Sequence, residues 1–156
     1  MGITIAQGLI FITYITFLLI KFGKPLPSIS DSWYQLQGIQ KQFFTWFCLS
    51  IGILMLMQSD LSSVWFFISG AGLCFVGAAT MFKATDKFTP IIHSAGAIIC
   101  ILSALIGIWV ERDIFLPFFL FGGTASILSL KSIKLENKTW WLEITAFAFI
   151  LIGLLF

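Results

Sequence analysis

Six apolar segments, each close to the length that crosses a bilayer, are the feature of this 156-residue chain that most constrains its fold. A hydrocarbon core ~30 Å thick requires about 20 mostly apolar residues in a helix. Short polar breaks separate the segments, which cover approximately residues 3–20, 42–58, 62–82, 90–110, 114–131 and 139–156. Because backbone in lipid must satisfy its own hydrogen bonds, the sequence predicts an all-α integral membrane bundle of six transmembrane helices in a single domain, residues 1–156.

The composition points to lipid rather than water as the main solvent. Only 10% of the residues are charged and the mean hydropathy is +1.03, whereas soluble domains contain about 25% charged residues. Too little polar material is present to cover a soluble domain of this size. The net charge of +2 gives no reason to expect a nucleic-acid partner. Without an organelle-targeting signal, we expect a multi-pass protein of the bacterial plasma (inner) membrane.

The basic residues predict the orientation of the bundle. The breaks after the first, third and fifth segments hold all but one of the nine basic residues: Lys21, Lys24, Lys41, Lys83, Lys87, Lys131, Lys134 and Lys138. The breaks after the second and fourth segments hold only Arg112. Short loops rich in lysine and arginine stay in the cytoplasm. The odd-numbered loops are therefore expected to be cytoplasmic, with both termini outside.

Small residues at intervals of four predict where helices pack closely. The third segment carries Gly70, Cys74 and Ala78, and the fourth carries Gly96, Cys100 and Ala104. Lipid offers no hydrophobic drive for helix association, so membrane helices pack where small side chains let their backbones approach. Residues four apart share one face of a helix. We expect the third and fourth segments to pack through these two stripes, although small residues are also common in membrane helices generally.

The predicted topology brings several polar residues to the cytoplasmic face. His93 lies about one turn inside the fourth segment and Glu143 about one turn inside the sixth, each ~5–6 Å deep at 1.5 Å per residue. Ser28 precedes Asp31 by three residues, a spacing that resembles a capping box. The sequence predicts one cytoplasm-facing polar pocket formed by Ser28, Ser30, Asp31, Tyr34, Lys83, His93 and Glu143.

Several of these residues also have a purely structural explanation. Ser28 and Asp31 would cap a helix, and Lys83 would extend from a helix end to the membrane surface. Glu143 would complement a helix N-terminal dipole, although acids inside spans usually face a partner or a wet cavity. His93 would either bond to a neighbouring helix or pair with Glu143, whose charge would favour imidazolium. If the two are partners, their side chains should lie within hydrogen-bonding distance.

The chain lacks the sequence signatures of catalysis and metal binding. It has no phosphate-binding loop, nucleophile elbow, HExxH helix or Rossmann fingerprint. A lone histidine cannot build a multi-histidine zinc or haem site within one chain. The three cysteines lie in apolar segments without CxxC spacing, so they are interpreted as small apolar fillers. No cofactor and no metal are expected, and the balance favours a protein that is not an enzyme.

Four short motifs carry a resemblance to known families. At "PSISDSWY", "FVGAATMFK", "HSAGA" and "WWLEI", across residues 27–144, the chain resembles small uncharacterised multi-spanning membrane proteins of bacterial and phage genomes. This resemblance implies a membrane bundle with polar residues near one face. A more distant likeness is to ceramidase-like membrane hydrolases, which place Ser, Asp and His near one membrane face. Those enzymes hold zinc with several histidines, so their metal chemistry is not expected here.

The sequence leaves three functions open. The first is a non-enzymatic transporter-like, channel-like or ligand-binding bundle, in which the cytoplasm-facing pocket holds a small polar or anionic ligand. The second is a membrane-embedded hydrolase acting on lipid head groups, with His93 or Glu143 as base. The third is a phage or defence-related membrane protein that works through helix contacts and needs no pocket. The expected partners are membrane lipids, with the small ligand and a second copy of the chain as further candidates.

Overall fold

All regular structure in the described part of the chain is helical. The computed structural model describes residues 1–59, 63–79, 88–130 and 134–156. The helices are α1 (Gly2–Phe22), α2 (Ser32–Gln35), a 3₁₀ turn (Gly38–Lys41), α3 (Gln42–Gln58), α4 (Val64–Ala79), α5 (Phe88–Arg112), α6 (Leu116–Ser129) and α7 (Lys138–Leu155). The all-α prediction is confirmed, and each predicted span overlaps one of the longer helices.

Four stretches among the described residues are long and apolar enough to cross a membrane: Gly2–Phe22, Gly38–Gln58, Ile91–Arg112 and Lys138–Leu155. They identify a membrane protein. The helices α4, with 16 residues, and α6, with 14, are apolar but shorter. At 1.5 Å per residue they are roughly 24 Å and 21 Å long, below the ~30 Å of a bilayer core. Six crossings therefore stay a prediction.

Five of the helices surround a common interior. Helix α1 packs against α3 and α7, α4 packs between α3 and α5, and α5 contacts α7 to close the ring. Helix α6 lies outside this ring, against α5 and α7. The Thr4 hydroxyl lies 3.5 Å from the Leu154 carbonyl oxygen, so both ends of the chain are at the same end of the bundle. We call this the terminal end, and we call the opposite end, which carries residues 23–41, the loop end.

Aromatic rings fill much of the space that α1, α3 and α7 enclose. Tyr14 stacks on Phe47, with ring centroids 4.5 Å apart and planes 16° from parallel. Phe11 stacks on Phe147, with centroids 4.9 Å apart. These helices are apolar on all sides, so hydrophobicity alone cannot choose the face that points inward. Complementary packing of large rings makes that choice here.

Helix α4 contacts α3 through the face that carries Gly70 and Cys74. A Cβ added to Gly70 would lie 2.7 Å from the carbonyl oxygen of Gly52 in α3. A Cβ added to Gly52 would lie 2.7 Å from Cys74 Sγ. The expectation that Gly70 and Cys74 pack against the next helix along the chain is therefore corrected: they face the preceding one.

The other face of α4 meets the predicted stripe of α5. A Cβ added to Gly72 would lie 3.0 Å from both the Cys100 nitrogen and the Gly96 carbonyl oxygen. Ala104 continues this stripe and is fully buried, whereas Ala78 is half-buried. Positions two apart are about 200° apart around a helix, so α4 offers a small-residue face to each neighbour. Spacing at intervals of four identifies only one of these two faces, and Gly72 lies on the other.

Filling the α3–α4 contact should destabilise the bundle. We expect Gly52→Ala to lower the free energy of unfolding by about 1–3 kcal/mol, because the new methyl group must push two backbones apart. Thermal unfolding in detergent would measure the change. Gly122→Ala in α6 is the matched control, since a Cβ there would meet no atom within 4 Å. Equal melting temperatures for the two variants would contradict close packing at Gly52.

Candidate functional site

The connection between α1 and α3 (residues 23–41) is bound to the start of α7. The Asn137 side chain donates from Nδ2 to the Pro25 carbonyl oxygen at 3.0 Å. The Trp140 backbone N–H donates to the Pro27 carbonyl oxygen at 3.1 Å. Three residues further along α7, the Glu143 carboxylate accepts a 2.5 Å hydrogen bond from the Ile29 N–H. The connection is thus held over the loop end of the bundle at three successive positions.

Serine hydroxyls shape the middle of this connection. Ser28 Oγ accepts a hydrogen bond from the Asp31 N–H at 3.1 Å and lies 2.9 Å from Ser30 Oγ. Ser32 Oγ donates to the Ile29 carbonyl oxygen at 2.6 Å. The Ser28–Asp31 bond has the capping-box spacing, but it tightens the turn before α2 rather than capping a helix. Asp31 is the residue before α2 and makes no side-chain cap bond there.

A buried tyrosine ties the same connection to α1. Tyr14 Oη lies 2.6 Å from Ser32 Oγ. A serine hydroxyl has a single hydrogen to donate, and that of Ser32 points to Ile29. Tyr14 is therefore the donor to Ser32. Both residues are buried, so the bond is protected from water.

A cavity of ≈ 50 Å³ lies beneath the connection, inside the helix ring. Its polar lining comes from Ser30 in the connection, His93 in α5 and Glu143 in α7. The rest of its wall is largely aromatic and aliphatic, with Phe44, Phe47 and Phe147 among the lining residues. Since a buried water needs roughly 10–15 Å³, the space suits a few water molecules.

His93 and Glu143 share this cavity but do not bond to each other. The imidazole is hydrogen-bonded to the Val76 backbone carbonyl in α4, and its centroid lies 6.3 Å from that of the Phe44 ring. The carboxylate bonds to Ile29 instead. Within the described chain, no hydrogen bond or ion pair joins the two side chains. Of the two alternatives for His93, the bond to a neighbouring helix is the one that the structure has, and the pair with Glu143 is not formed.

Asp31 adds a third ionisable group to this region. It interacts electrostatically with both His93 and Glu143. The side chain of Asp31 is half-buried on the connection and is not part of the cavity wall. Its carboxyl group therefore acts on the imidazole and on the other carboxyl group, each by a separate interaction.

The other residues of the predicted pocket take different places. The Tyr34 side chain is 55% exposed and is not part of the cavity wall. Ser28 is buried and bonds within the connection. Lys83 lies outside the described residues. Three of the seven, Ser30, His93 and Glu143, thus line one cavity, and Asp31 interacts electrostatically with the last two from outside its wall.

The cavity does not present an assembled hydrolytic site. Among the described residues, no group of three or more His, Cys, Asp or Glu side chains is arranged to hold a metal ion. The Ser30 hydroxyl bonds to Ser28 rather than to His93. A nucleophile activated by a base would require hydrogen-bond contact between the two, and the described contacts do not provide it.

A second polar cluster, which the sequence analysis did not identify, lies at the terminal end. Gln7 Nε2 donates to Gln58 Oε1 at 3.1 Å, and Gln58 Nε2 donates to Thr4 Oγ1 at 2.9 Å. Arg112 Nη1 donates to the Leu154 carbonyl oxygen at 2.9 Å. The signal was available: two glutamines stand in apolar segments at depths that the predicted topology places near one membrane face.

Comparison with known proteins gives this chain no relative: no family model, curated protein or solved structure matches it. The resemblances to bacterial and phage membrane proteins and to ceramidase-like hydrolases stay predictions.

The Tyr14–Ser32 bond should measurably stabilise the connection. We expect Tyr14→Phe to lower the free energy of unfolding by about 1 kcal/mol, and Ser32→Ala by about 1–3 kcal/mol because it leaves the tyrosine hydroxyl buried without its acceptor. The double variant should lose less than the sum, with a coupling near 1 kcal/mol. Thermal or denaturant unfolding in detergent checks this, with the exposed Tyr34→Phe as control. Additive losses would contradict a direct bond.

Proposed function

We propose that this chain is a non-enzymatic membrane protein whose pocket at the loop end binds a proton, within a transporter-like or channel-like bundle. The observation that carries the proposal is Glu143, a carboxylate that extends from α7 into an interior cavity. It has a backbone N–H as partner and no ion pair among the described residues. Ionisable side chains inside membrane helices are costly and commonly mark proton or ion pathways.

The size of the cavity supports a very small guest. Pockets for drug-sized molecules are commonly ~300–1,000 Å³, whereas this cavity measures ≈ 50 Å³. A lipid head group does not fit such a space, but a proton carried with a few waters does. Charge supports the same choice, because Asp31 and Glu143 outnumber the single imidazole. A positively charged guest therefore suits the described residues better than an anion, which was one of the two alternatives in the expected small polar or anionic ligand.

A membrane hydrolase is the second candidate. The observation in its favour is that Ser30, His93 and Glu143 line one cavity. Two observations count against it: the hydrogen bond between the Ser30 and Ser28 hydroxyls and the small volume of the cavity. For this activity the connection would have to move away and Ser30 would have to exchange its partner.

The proposed orientation places the loop end in the cytoplasm of a bacterial plasma membrane and both termini outside, with α4 and α6 completing six crossings. Lysine placement supports it. The contact between Thr4 and Leu154, near the two chain ends, supports six crossings, because an even number of crossings returns the chain to the side of the membrane on which it started. Helices α3 and α5 pack against two sides of α4, so much of this helix, which is shorter than the bilayer core, contacts protein rather than lipid.

Cysteine labelling in spheroplasts tests this orientation. With a membrane-impermeant maleimide, we expect Phe156→Cys to label in intact spheroplasts and Lys24→Cys to label only after lysis, since both positions are exposed. The wild-type chain is the blank, because its own cysteines are buried or half-buried in the bundle. The opposite labelling pattern would contradict the orientation, and labelling of both positions from outside would contradict an even number of crossings.

Infrared difference spectroscopy tests proton binding at Glu143. Between an acidic and an alkaline buffer, the wild-type protein in lipid should show the carbonyl band of a carboxylic acid that gains and loses a proton. The chain has seven carboxyl side chains, so the test is the component of this band that comes from Glu143. That component should be missing in Glu143→Gln, which keeps the shape of the side chain but not its ionisable group. Glu136→Gln, at an exposed position, is the control: it should lose only the component of an exposed acid and keep that of Glu143. A band that persists unchanged in Glu143→Gln would contradict the proposed site.

A further inference from the structure

An open groove runs along the outside of the bundle between α1 and α3. Its volume is ≈ 470 Å³, within the range of ~300–1,000 Å³ that is common for ligand pockets. Its surface is almost entirely apolar, and the lining residues include Leu9, Thr13, Phe17, Phe43, Trp46 and Ser50. The cavity at Glu143 lies inside the helix ring, so the function proposed above makes no use of this groove.

Aromatic rings create the groove by holding the two helices apart. Tyr14 stacks on Phe47 with ring centroids 4.5 Å apart. Phe17 meets Phe43 edge to face, with centroids 5.4 Å apart. On the other side of α3, glycines allow the backbone of α4 to approach closely. Because small residues let helix backbones approach and large rings do not, the α1–α3 pair stays open towards the lipid.

The length of the groove corresponds to one leaflet of the membrane. On α1 its lining residues extend from Leu9 to Phe17, towards the loop end, which is about 12 Å at 1.5 Å per residue. A bilayer core of ~30 Å has leaflets of about 15 Å each. A transmembrane helix from a second copy would cross the whole core, whereas a phospholipid acyl chain occupies one leaflet. The length therefore favours a lipid.

The walls of the groove also favour a flexible guest. Its described lining residues include neither glycine nor alanine, the residues that let another helix approach closely. Trp46 is 53% exposed, and Thr13 is exposed as well, so both face the space that lipid fills. An acyl chain can bend to follow irregular aromatic walls, which a rigid helix cannot do.

Lysines stand where the head group of such a lipid would lie. Lys21 follows Phe17 by one turn on the same face of α1, and Lys24 comes just after the helix ends. Both lysines are exposed. Residues 1–59 contain three lysines and a single acid, the half-buried Asp31. Basic groups beside transmembrane helices attract anionic lipid head groups, so the charge at this end of the groove complements a phosphate.

We propose that the α1–α3 groove binds an acyl chain of one anionic phospholipid, with the lipid phosphate at Lys21 and Lys24. The chain lies against the rings between the two helices, and the head group lies at the loop end. The groove and the lysines share that end whichever side of the membrane it faces. The lipid does not contact Glu143, so this site is independent of proton binding there.

Native mass spectrometry of the full-length protein in detergent tests the groove. Palmitoyl-oleoyl phosphatidylglycerol is compared with palmitoyl-oleoyl phosphatidylcholine, which has the same acyl chains and no net charge. We expect the wild-type protein to bind one phosphatidylglycerol several-fold more tightly than phosphatidylcholine. Thr13→Trp, which fills the groove, should lower the affinity for both lipids several-fold. Ser50→Phe fills the groove from α3 and serves the same purpose if Thr13→Trp does not fold.

Matched variants separate the groove and the lysines from general effects. Ile12→Trp adds the same ring at an exposed position of α1 outside the groove, and it should bind both lipids as the wild type does. Lys21→Gln should reduce the preference for phosphatidylglycerol and leave the affinity for phosphatidylcholine unchanged. Lys134→Gln removes an equal charge at an exposed position before α7 and should keep the preference.

Three results would overturn the proposed lipid site. The first is equal affinity of the wild-type protein for the two lipids. The second is unchanged lipid binding in both Thr13→Trp and Ser50→Phe. The third is a protein dimer that these two variants abolish, because the groove would then hold a second copy of the chain. Glu143→Gln should bind phosphatidylglycerol as the wild type does, so failure of either proposal leaves the other standing.

Discussion

The interior of this bundle depends on one hydrogen bond between a loop and a helix. The Ile29 N–H meets the Glu143 carboxylate, and this contact gives a half-buried acid a partner while holding the connection over the cavity. Asn137 and Trp140 bind the same connection to the preceding turn of α7. Without the Ile29 bond, this half-buried carboxylate would keep no partner among the described residues, and partial burial of an unpaired charge is unfavourable. Moving the connection (residues 23–41) off the cavity would therefore also cost the free energy of the Ile29–Glu143 hydrogen bond.

A chain of this composition has few ways to place polar atoms in its interior. Lipid surrounds the outside of the bundle, so every buried hydroxyl, amide or acid must find a partner inside the protein. At the loop end, serines and Tyr14 meet this need with each other and with backbone groups. At the terminal end, Gln58 and Thr4 do so, while Gln7 retains a free oxygen. The two ends thus differ in how completely their polar atoms are satisfied.

Helix positions were largely predictable from the sequence, because length and apolarity decide where a membrane helix lies. The meeting of His93 with Glu143 at one cavity was predictable for the same reason: both lie one turn inside spans that start at the same end. Their lack of direct contact was not, since backbone groups of Val76 and Ile29 compete for the side chains. The role of Gly72 and the burial of Gln7 were also missed. Side-chain packing decides which face of an all-apolar helix points inward, and the spacing of apolar residues along the sequence does not reveal it.

The contrast between the two sides of the ring has a mechanical consequence. Glycines let the backbones of α3, α4 and α5 pack almost directly against one another. These three helices cannot move apart without losing many short contacts at once. Helices α1 and α7 meet the interior through rings such as Phe11 and Phe147, which can swing about their side-chain torsions while the backbones stay in place. We therefore expect side-chain rearrangement in the interior along the α1–α7 side, while the closely packed backbones of α3, α4 and α5 stay fixed.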